Sequence, residues 1–343
     1  MTVRVRRLRR PIAGRGRRWL SLAAALWIAG CGGGAEYARY AGSTMGTYYQ
    51  VTARCPEDVS AQIEAELAAV NDEMSTYLED SVLSRFNRAA AEQWHPVPEP
   101  MAQVVAAARA ISEASGGAFD VTVGPLVNLW GFGPDPKRGV PAAADIDAAR
   151  AQVGHDRLEV SLTPPQLRKR GPLYVDLSAI AKGHGVDRVT ERLRRAGCDA
   201  LLVDVGGEVR GHGPSPSGRS WRIGVEVPDS ERQGGIQRVV ALRDGALATS
   251  GDYRNFFDAD GARYSHTIDP RTGHPVSHGL ASVTVLHDSA MWADGYATAL
   301  TVLGPEAGMA FAERHELAVL MVVRGASGFE ERYTPAFGTS LVE

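Results

Sequence analysis

The sequence predicts an α+β fold, with mixed or antiparallel sheets packed with helices. Strand-like and helix-like segments alternate without the regular βαβ rhythm of a doubly wound parallel sheet. The strand candidates are short and bounded by glycine or proline turns. Several helix candidates carry a single apolar face.

Taken in order, Thr47 to Ala53 reads as a strand, and Val59 to Met74 as a helix with Ile63, Leu67, Val70 and Met74 on one face. A second helix covers Glu99 to Ser115, with Met101, Val105, Ala108 and Ile111 inward, and stops at Gly116-Gly117. Ala142 to Val153 is a third. Strands are predicted at Leu158 to Leu162 and Tyr174 to Leu177, then a helix from Lys182 to Ala196 whose inner face holds Val186, Val189 and Leu193. Leu201 to Val205, Trp221 to Val227, Arg238 to Leu242, Ala246 to Thr249 and Ser282 to His287 read as strands. Helices follow at Ser289 to Leu303 and Pro305 to His315, and Ala318 to Arg324 is a last strand. Pro134 to Pro141 and Gly211 to Arg219 are proline- and glycine-rich, hence exposed loops.

The first thirty residues hold eight arginines and no acid, followed by an apolar run from Trp19 to Ala29 too short to span a bilayer as a permanent helix. This is the pattern of an export signal (residues 1–30). It ends in Ile28-Ala29-Gly30-Cys31, which resembles a bacterial lipobox with Cys31 as the lipidated residue; an ordinary signal peptide with an incidental cysteine is the alternative. The expected place is the bacterial cell envelope, lipid-anchored to a membrane and facing the periplasm. Residues 31–40 read as a small, polar tether.

Loss of the leader takes the formal charge from −3 to about −11. An acidic protein of this kind offers no basic patch to nucleic acid, so an anionic ligand has to be held locally by metal, lysine and backbone amides. Cys55 and Cys198 remain after Cys31; they either pair in an oxidising compartment or stay as two thiols.

Polar residues that a core does not need recur through the C-terminal two thirds. In Ala293 to Thr298 (ADGYAT), Asp294 and Thr298 stand four apart on a helix, one turn above another. A carboxylate and a hydroxyl without cysteine or histidine suit Mg2+, which takes oxygen ligands and keeps room for substrate phosphates. The alternative is a threonine bonded back to its own helix and a solvated aspartate. Asp176 to Gly185 (DLSAIAKGHG) is a strand end, a small-residue turn and a helix start. The Ala179 carbonyl there can complete a cation's shell, and Lys182 can meet a phosphate near the positive end of the helix. His184 reads only as a polar helix-face residue.

Val205 to Glu208 (VGGE) lets a ligand approach the backbone closely, with Glu208 as an acceptor for a sugar or base. Phe119-Asp120, just past a helix end, pairs an aromatic with a carboxylate, suited to recognition of a ring. His266 lies two residues before Ile268 in an extended run locked by Pro270. It offers an imidazole, whose ordinary titration near neutrality suits a base that takes a proton from an incoming hydroxyl.

Eight segments in order, MGT (Met45 to Thr47), MSTYLEDSVLSRFN (Met74 to Asn87), GGAFDVTVGPLVNLWGFG (Gly116 to Gly133), DLSAIAKG, VGGE, TSGDYRN (Thr249 to Asn255), SHTIDPRTGHPV (Ser265 to Val276) and ADGYATAL, resemble the ApbE family of flavin transferases, once called thiamine biosynthesis lipoproteins. The resemblance runs from Met45 to the end and implies a T-fold-like domain over residues 41–343. It implies an FAD:protein FMN transferase that uses Mg2+, splits FAD, attaches FMN by a phosphoester to a threonine of a target protein and releases AMP. By motif, the magnesium ligands would be the Ala179 carbonyl, Asp294 and Thr298. FAD contacts would include Met45, Tyr77, Ala118, Phe119, Asp120, Asp176, Lys182, Glu208 and Ile268, with His266 catalytic. Family members more often carry an aromatic where this chain has His184. Targets would be flavoprotein subunits of membrane redox complexes or extracytoplasmic electron carriers. Two other readings use the same residues: an FAD pyrophosphatase yielding FMN and AMP, and a non-catalytic flavin-binding lipoprotein.

Overall fold

The structure is a computed structural model that describes residues 36–134, 139–228, 235–251, 255–259, 261–326 and 328–342. The leader and residues 31–35 of the tether, Cys31 among them, lie outside the described residues, as do Asp252 to Arg254 of the TSGDYRN segment.

Eight antiparallel strands form the central sheet: β1 (Tyr37–Thr44), β2 (Thr47–Arg54), β6 (Ala200–Val205), β7 (Glu208–His212), β10 (Gly245–Gly251), β15 (Leu280–His287), β16 (Ala318–Gly325) and β17 (Gly328–Tyr333), adjacent in that order. The period of two in each strand sends alternate residues to two covered faces. Val203 and Val205, Ala246 and Ala248, Val283 and Val285, and Val319 and Met321 face a helical layer. That layer includes α1 (Ser60–Met74), α6 (Ala181–Arg195) and α7 (Ala290–Arg314). Leu247 and Leu320 face the other way, against a hairpin of β8 (Trp221–Glu226) and β9 (Ile236–Leu242) and the short α8 (Pro335–Gly338). Burial on both faces explains why β16 reads as a near-continuous apolar run rather than alternating.

A second core gathers α2 (Val82–Arg88) and α3 (Glu99–Ala114) on a small sheet of β3 (His95–Pro96), β5 (Pro165–Lys169) and β4 (Leu158–Leu162). α4 (Gly124–Leu129) and α5 (Ala143–Arg150) form a third with the hairpin β11 (Phe256–Ala259) and β12 (Ala262–Ser265). The two-residue strands β13 (Ile268–Asp269) and β14 (His274–Pro275) close beside it.

The apolar faces expected for α1, α3 and α6 are the buried ones. α7 runs through both C-terminal helices, but Gly304 has φ 79 and breaks it just before Pro305. Tyr174 to Leu177, by contrast, forms no strand. The Asn87 side chain takes both backbone groups of Val175 at 2.8 Å, and Asp176 N–H bonds the Val121 carbonyl at 2.7 Å, so no ladder remains to be made. Tyr37 to Tyr40, read as the end of the tether, open the edge strand β1. Cys55 and Cys198 are joined in a disulfide, beside a bidentate Arg54–Asp199 pair. Among the described residues no helix is long and apolar enough to cross a membrane.

Candidate active site

A cavity of about 650 Å3 wraps round the end of the central sheet, from the helical layer to the β8–β9 hairpin. Its size lies within the range of roughly 300–1,000 Å3 typical of cofactor pockets. On the helical side it is lined by Asp176, Ala179, Lys182, Glu208, Asp294 and Thr298. On the other side are Asp204 of β6, Thr249 of β10 and the consecutive residues Arg222 to Glu226 of β8. Tyr77, Phe132, His266 and Ile268 complete the mouth.

The centre is a triad of ionisable groups. Lys182 Nζ lies 2.6 Å from Glu208 Oε2. Glu208 is 2% exposed and Asp294 5%. Burial pushes both carboxyls above the usual carboxylate range, Lys182 pulls them back, and their mutual repulsion raises Glu208 further. Two buried carboxyls thus share the field of one lysine.

The turn before α6 is shaped by the same contact. Gly183 N–H, which in a continuing helix would bond the Ala179 carbonyl four residues back, donates instead to Asp294 Oδ2 at 3.0 Å. Among the described residues the Ala179 carbonyl accepts no backbone hydrogen bond. Thr298 likewise makes no side-chain hydrogen bond there, whereas Thr301 on the same helix bonds back to the Ala297 carbonyl at 2.8 Å. Asp294 is therefore not a solvated acid and Thr298 is not tied to its own helix. Gly183 is needed for the approach: a Cβ would fall 2.2 Å from the Ala290 carbonyl oxygen.

The Gly206-Gly207 pair has a local cause. It forms the two-residue turn between β6 and β7, with φ of 65 and 106, the left-handed geometry such hairpins require. The turn holds Glu208 toward Lys182 while Val209, one residue on, faces the hairpin layer.

His266 donates from Nδ1 to the Asn255 carbonyl at 3.0 Å, since a carbonyl only accepts. In the neutral ring this tautomer leaves the lone pair on Nε2. Phe132 packs edge-on against it at 6.3 Å between centroids.

The remaining predicted residues divide. Tyr77, 66% exposed, stands at the mouth near Asp176, and Ile268 is a buried part of the wall. Asp176 also accepts from Ser178, N–H at 2.9 Å and Oγ at 2.5 Å. Ala118, Phe119 and Asp120 line the cavity, but the Phe119 side chain is 2% exposed within the core. The Asp120 carboxylate accepts from Thr122 N and Oγ1 at 2.7 Å and from His155 N at 2.9 Å, and so braces its own loop. Met45 is not part of the lining; it packs between the two larger cores, its methyl group against Gly185. His184, read as a polar face residue, is 8% exposed, and burial pushes its imidazole down to about 4. Tyr48, Asp204 and the β8 residues were missed because only the sheet and hairpin packing brings them to the cavity.

The ApbE family profile matches residues 45–321. The chain belongs to the ApbE family. It is 44% identical over 330 residues to the FAD:protein FMN transferase of Vibrio cholerae, covering 94% of this chain and 98% of that one. It is 37% identical over 338 residues to the protein of the same name in Escherichia coli, covering 94% and 96%. Among solved structures, the apo flavinyl transferase ApbE of Pseudomonas stutzeri superposes with a TM-score of 0.82 at 42% identity, covering 89% of this chain and 96% of that one. The Thermotoga maritima ApbE protein gives 0.81 at 28% identity, covering 90% and 100%. The α+β architecture is thus that of the ApbE flavin transferases.

Proposed function

We propose that this protein is an FAD:protein FMN transferase that moves the FMN half of FAD to a threonine hydroxyl of a target protein and releases AMP, with Mg2+ as the required cation. The observation that carries the reading is the meeting of Lys182, buried Glu208 and Asp294, and the unengaged oxygens of Thr298 and Ala179 in one cavity.

The donor set fits a hard cation. A carboxylate, a hydroxyl and a carbonyl leave positions open for substrate phosphate oxygens, as Mg2+ requires. Among the described residues no three acidic, histidine or cysteine side chains form a cage complete in itself. The buried carboxyls of Glu208 and Asp294 face the same cavity, and a diphosphate brought against them is better accommodated with a cation. When bound, Mg2+ would supply Lewis-acid polarisation of the phosphorus under attack.

The chain's own groups do the rest. Lys182, steadied by Glu208, meets the charge that grows on the departing AMP. His266 Nε2 takes the proton of the acceptor hydroxyl as its oxygen bonds to the FMN phosphorus. The bond from that phosphorus to the bridging oxygen breaks, and the electron pair leaves with AMP. The Asn255 carbonyl fixes the tautomer and orientation this needs. Placement in the cell envelope through a lipid on Cys31, and targets among flavoprotein subunits of membrane redox complexes or extracytoplasmic electron carriers, belong to the same proposal.

The test is incubation of the protein with FAD, Mg2+ and candidate threonine-bearing targets, read by intact mass. A target heavier by one FMN moiety, lost on mutation of its threonine, is expected. FAD consumed at the same rate without any target, and no adduct with it, would replace transfer by hydrolysis.

A further inference from the structure

Asp187, on α6 four residues beyond Gly183, is a carboxylate that joins the three elements carrying the central triad. Its Oδ2 accepts from Ser289 Oγ at 2.6 Å and from Met291 N–H at 3.0 Å. Its Oδ1 accepts from Ala290 N–H at 2.9 Å and from the Arg210 guanidinium at 2.9 Å. Three of these donors belong to the first turn of α7, including its N-cap Ser289. The fourth, Arg210, stands on β7 two residues after Glu208 and reaches Glu191 of α6 at 3.3 Å.

The contact has clear physical value. The first N–H groups of a helix lack partners within it, and a carboxylate there completes them and meets the positive end of the dipole. Such charge-assisted bonds are stronger than neutral ones. Four residues earlier on α6, Gly183 lies against the Ala290 backbone with no room for a side chain. Asp294, one turn further along α7, returns to Gly183 N–H. The two helices are therefore pinned on both sides of the crossing.

We infer that Asp187 is a positioning residue that fixes the distance between the α6 side of the site, Ala179 and Lys182, and the α7 side, Asp294 and Thr298. Nothing in Asp187 touches the cavity; it acts through α7 and Arg210. The inference rests on the cation site proposed above.

The variant Asp187→Asn keeps the shape but loses the charge and sets an amide N–H against donors. Two measurements are made beside the unaltered protein: hydrogen exchange across residues 289–298 without metal, and FAD cleavage as a function of Mg2+ concentration. The expected result is faster exchange at Ala290 and Met291, at least a fivefold rise in half-saturating Mg2+, and partial rescue of the rate by excess Mg2+. Ser289→Ala, which removes one of the four donors, shifts both readouts the same way by less and serves if Asp187→Asn does not fold. Asp199→Asn, which breaks the remote pair with Arg54, should leave half-saturating Mg2+ unaltered. Normal exchange and normal half-saturation in Asp187→Asn would overturn the inference, as would an equal rise in Asp199→Asn. If the unaltered protein cleaves FAD without regard to Mg2+, the cation reading falls instead, and exchange alone then decides whether Asp187 holds α7.

Discussion

The helical wall of the cavity and the wall at its mouth follow different rules. On the helical wall Lys182 is held by Glu208 and Asp294 by the Gly183 backbone, and both carboxyls are shut off from solvent. At the mouth, Tyr77 is mostly exposed, and His266 rests on a loop backed by stacked aromatics, Phe257 on Tyr264 and Tyr264 on Trp130. Charge that must be met in place is carried by the helices and the central sheet. Groups that must admit a second macromolecule sit on loops.

The largest effect is therefore expected on the helical wall. Lys182→Met should lower transfer by about 100- to 1,000-fold, the scale of losing one preorganised charge partner, measured as kcat under saturating FAD. His266→Ala at the mouth should lower transfer by roughly 100-fold or more, as for loss of a general base, yet leave Mg2+-dependent FAD binding intact. If His266→Ala weakens binding as much as Lys182→Met does, the two walls are not distinct.

A pH effect sharpens the same contrast. The Glu208 carboxyl is raised in the folded state, so its contribution to stability is complete below the ordinary carboxylate range and is lost as pH rises through its folded value. The metal-free protein should melt at lower temperature as pH climbs from about 4.5 toward neutrality and beyond. Glu208→Gln should flatten that slope, and Mg2+ with FAD should oppose it. The smallest change concerns His184. Its folded value is depressed, so stability is full above the ordinary histidine value and falls as pH drops toward about 4. His184→Phe should remove that acid loss, worth up to about 3 kcal/mol, with little effect at neutral pH; thermal melts at several pH values read both.

What the sequence made visible was what repeats locally. Ile63, Leu67, Val70 and Met74 announce α1 through their spacing, and Asp294 and Thr298 share a helix face by the same geometry. Tyr174 to Leu177 misled because propensity says extended but not with whom, and Asn87, far off in the chain, answered. His184 looked polar amid glycines; its burial depends on how α6 packs. Glu208 was noticed as an acceptor, while its pairing with Lys182 needed the β6–β7 turn. Asp187 carries no local signal, since its partners lie more than twenty residues away or a hundred.

The central claim is that Asp294, Thr298 and the Ala179 carbonyl hold a divalent cation against the diphosphate of FAD. Calorimetric titration of Mg2+ into the metal-free protein with FAD present, for the unaltered chain and for Asp294→Asn and Thr298→Val, tests it most directly. The account predicts a binding heat that requires FAD, abolished in Asp294→Asn and weakened at least roughly tenfold in Thr298→Val. Equal affinity in all three proteins would contradict it.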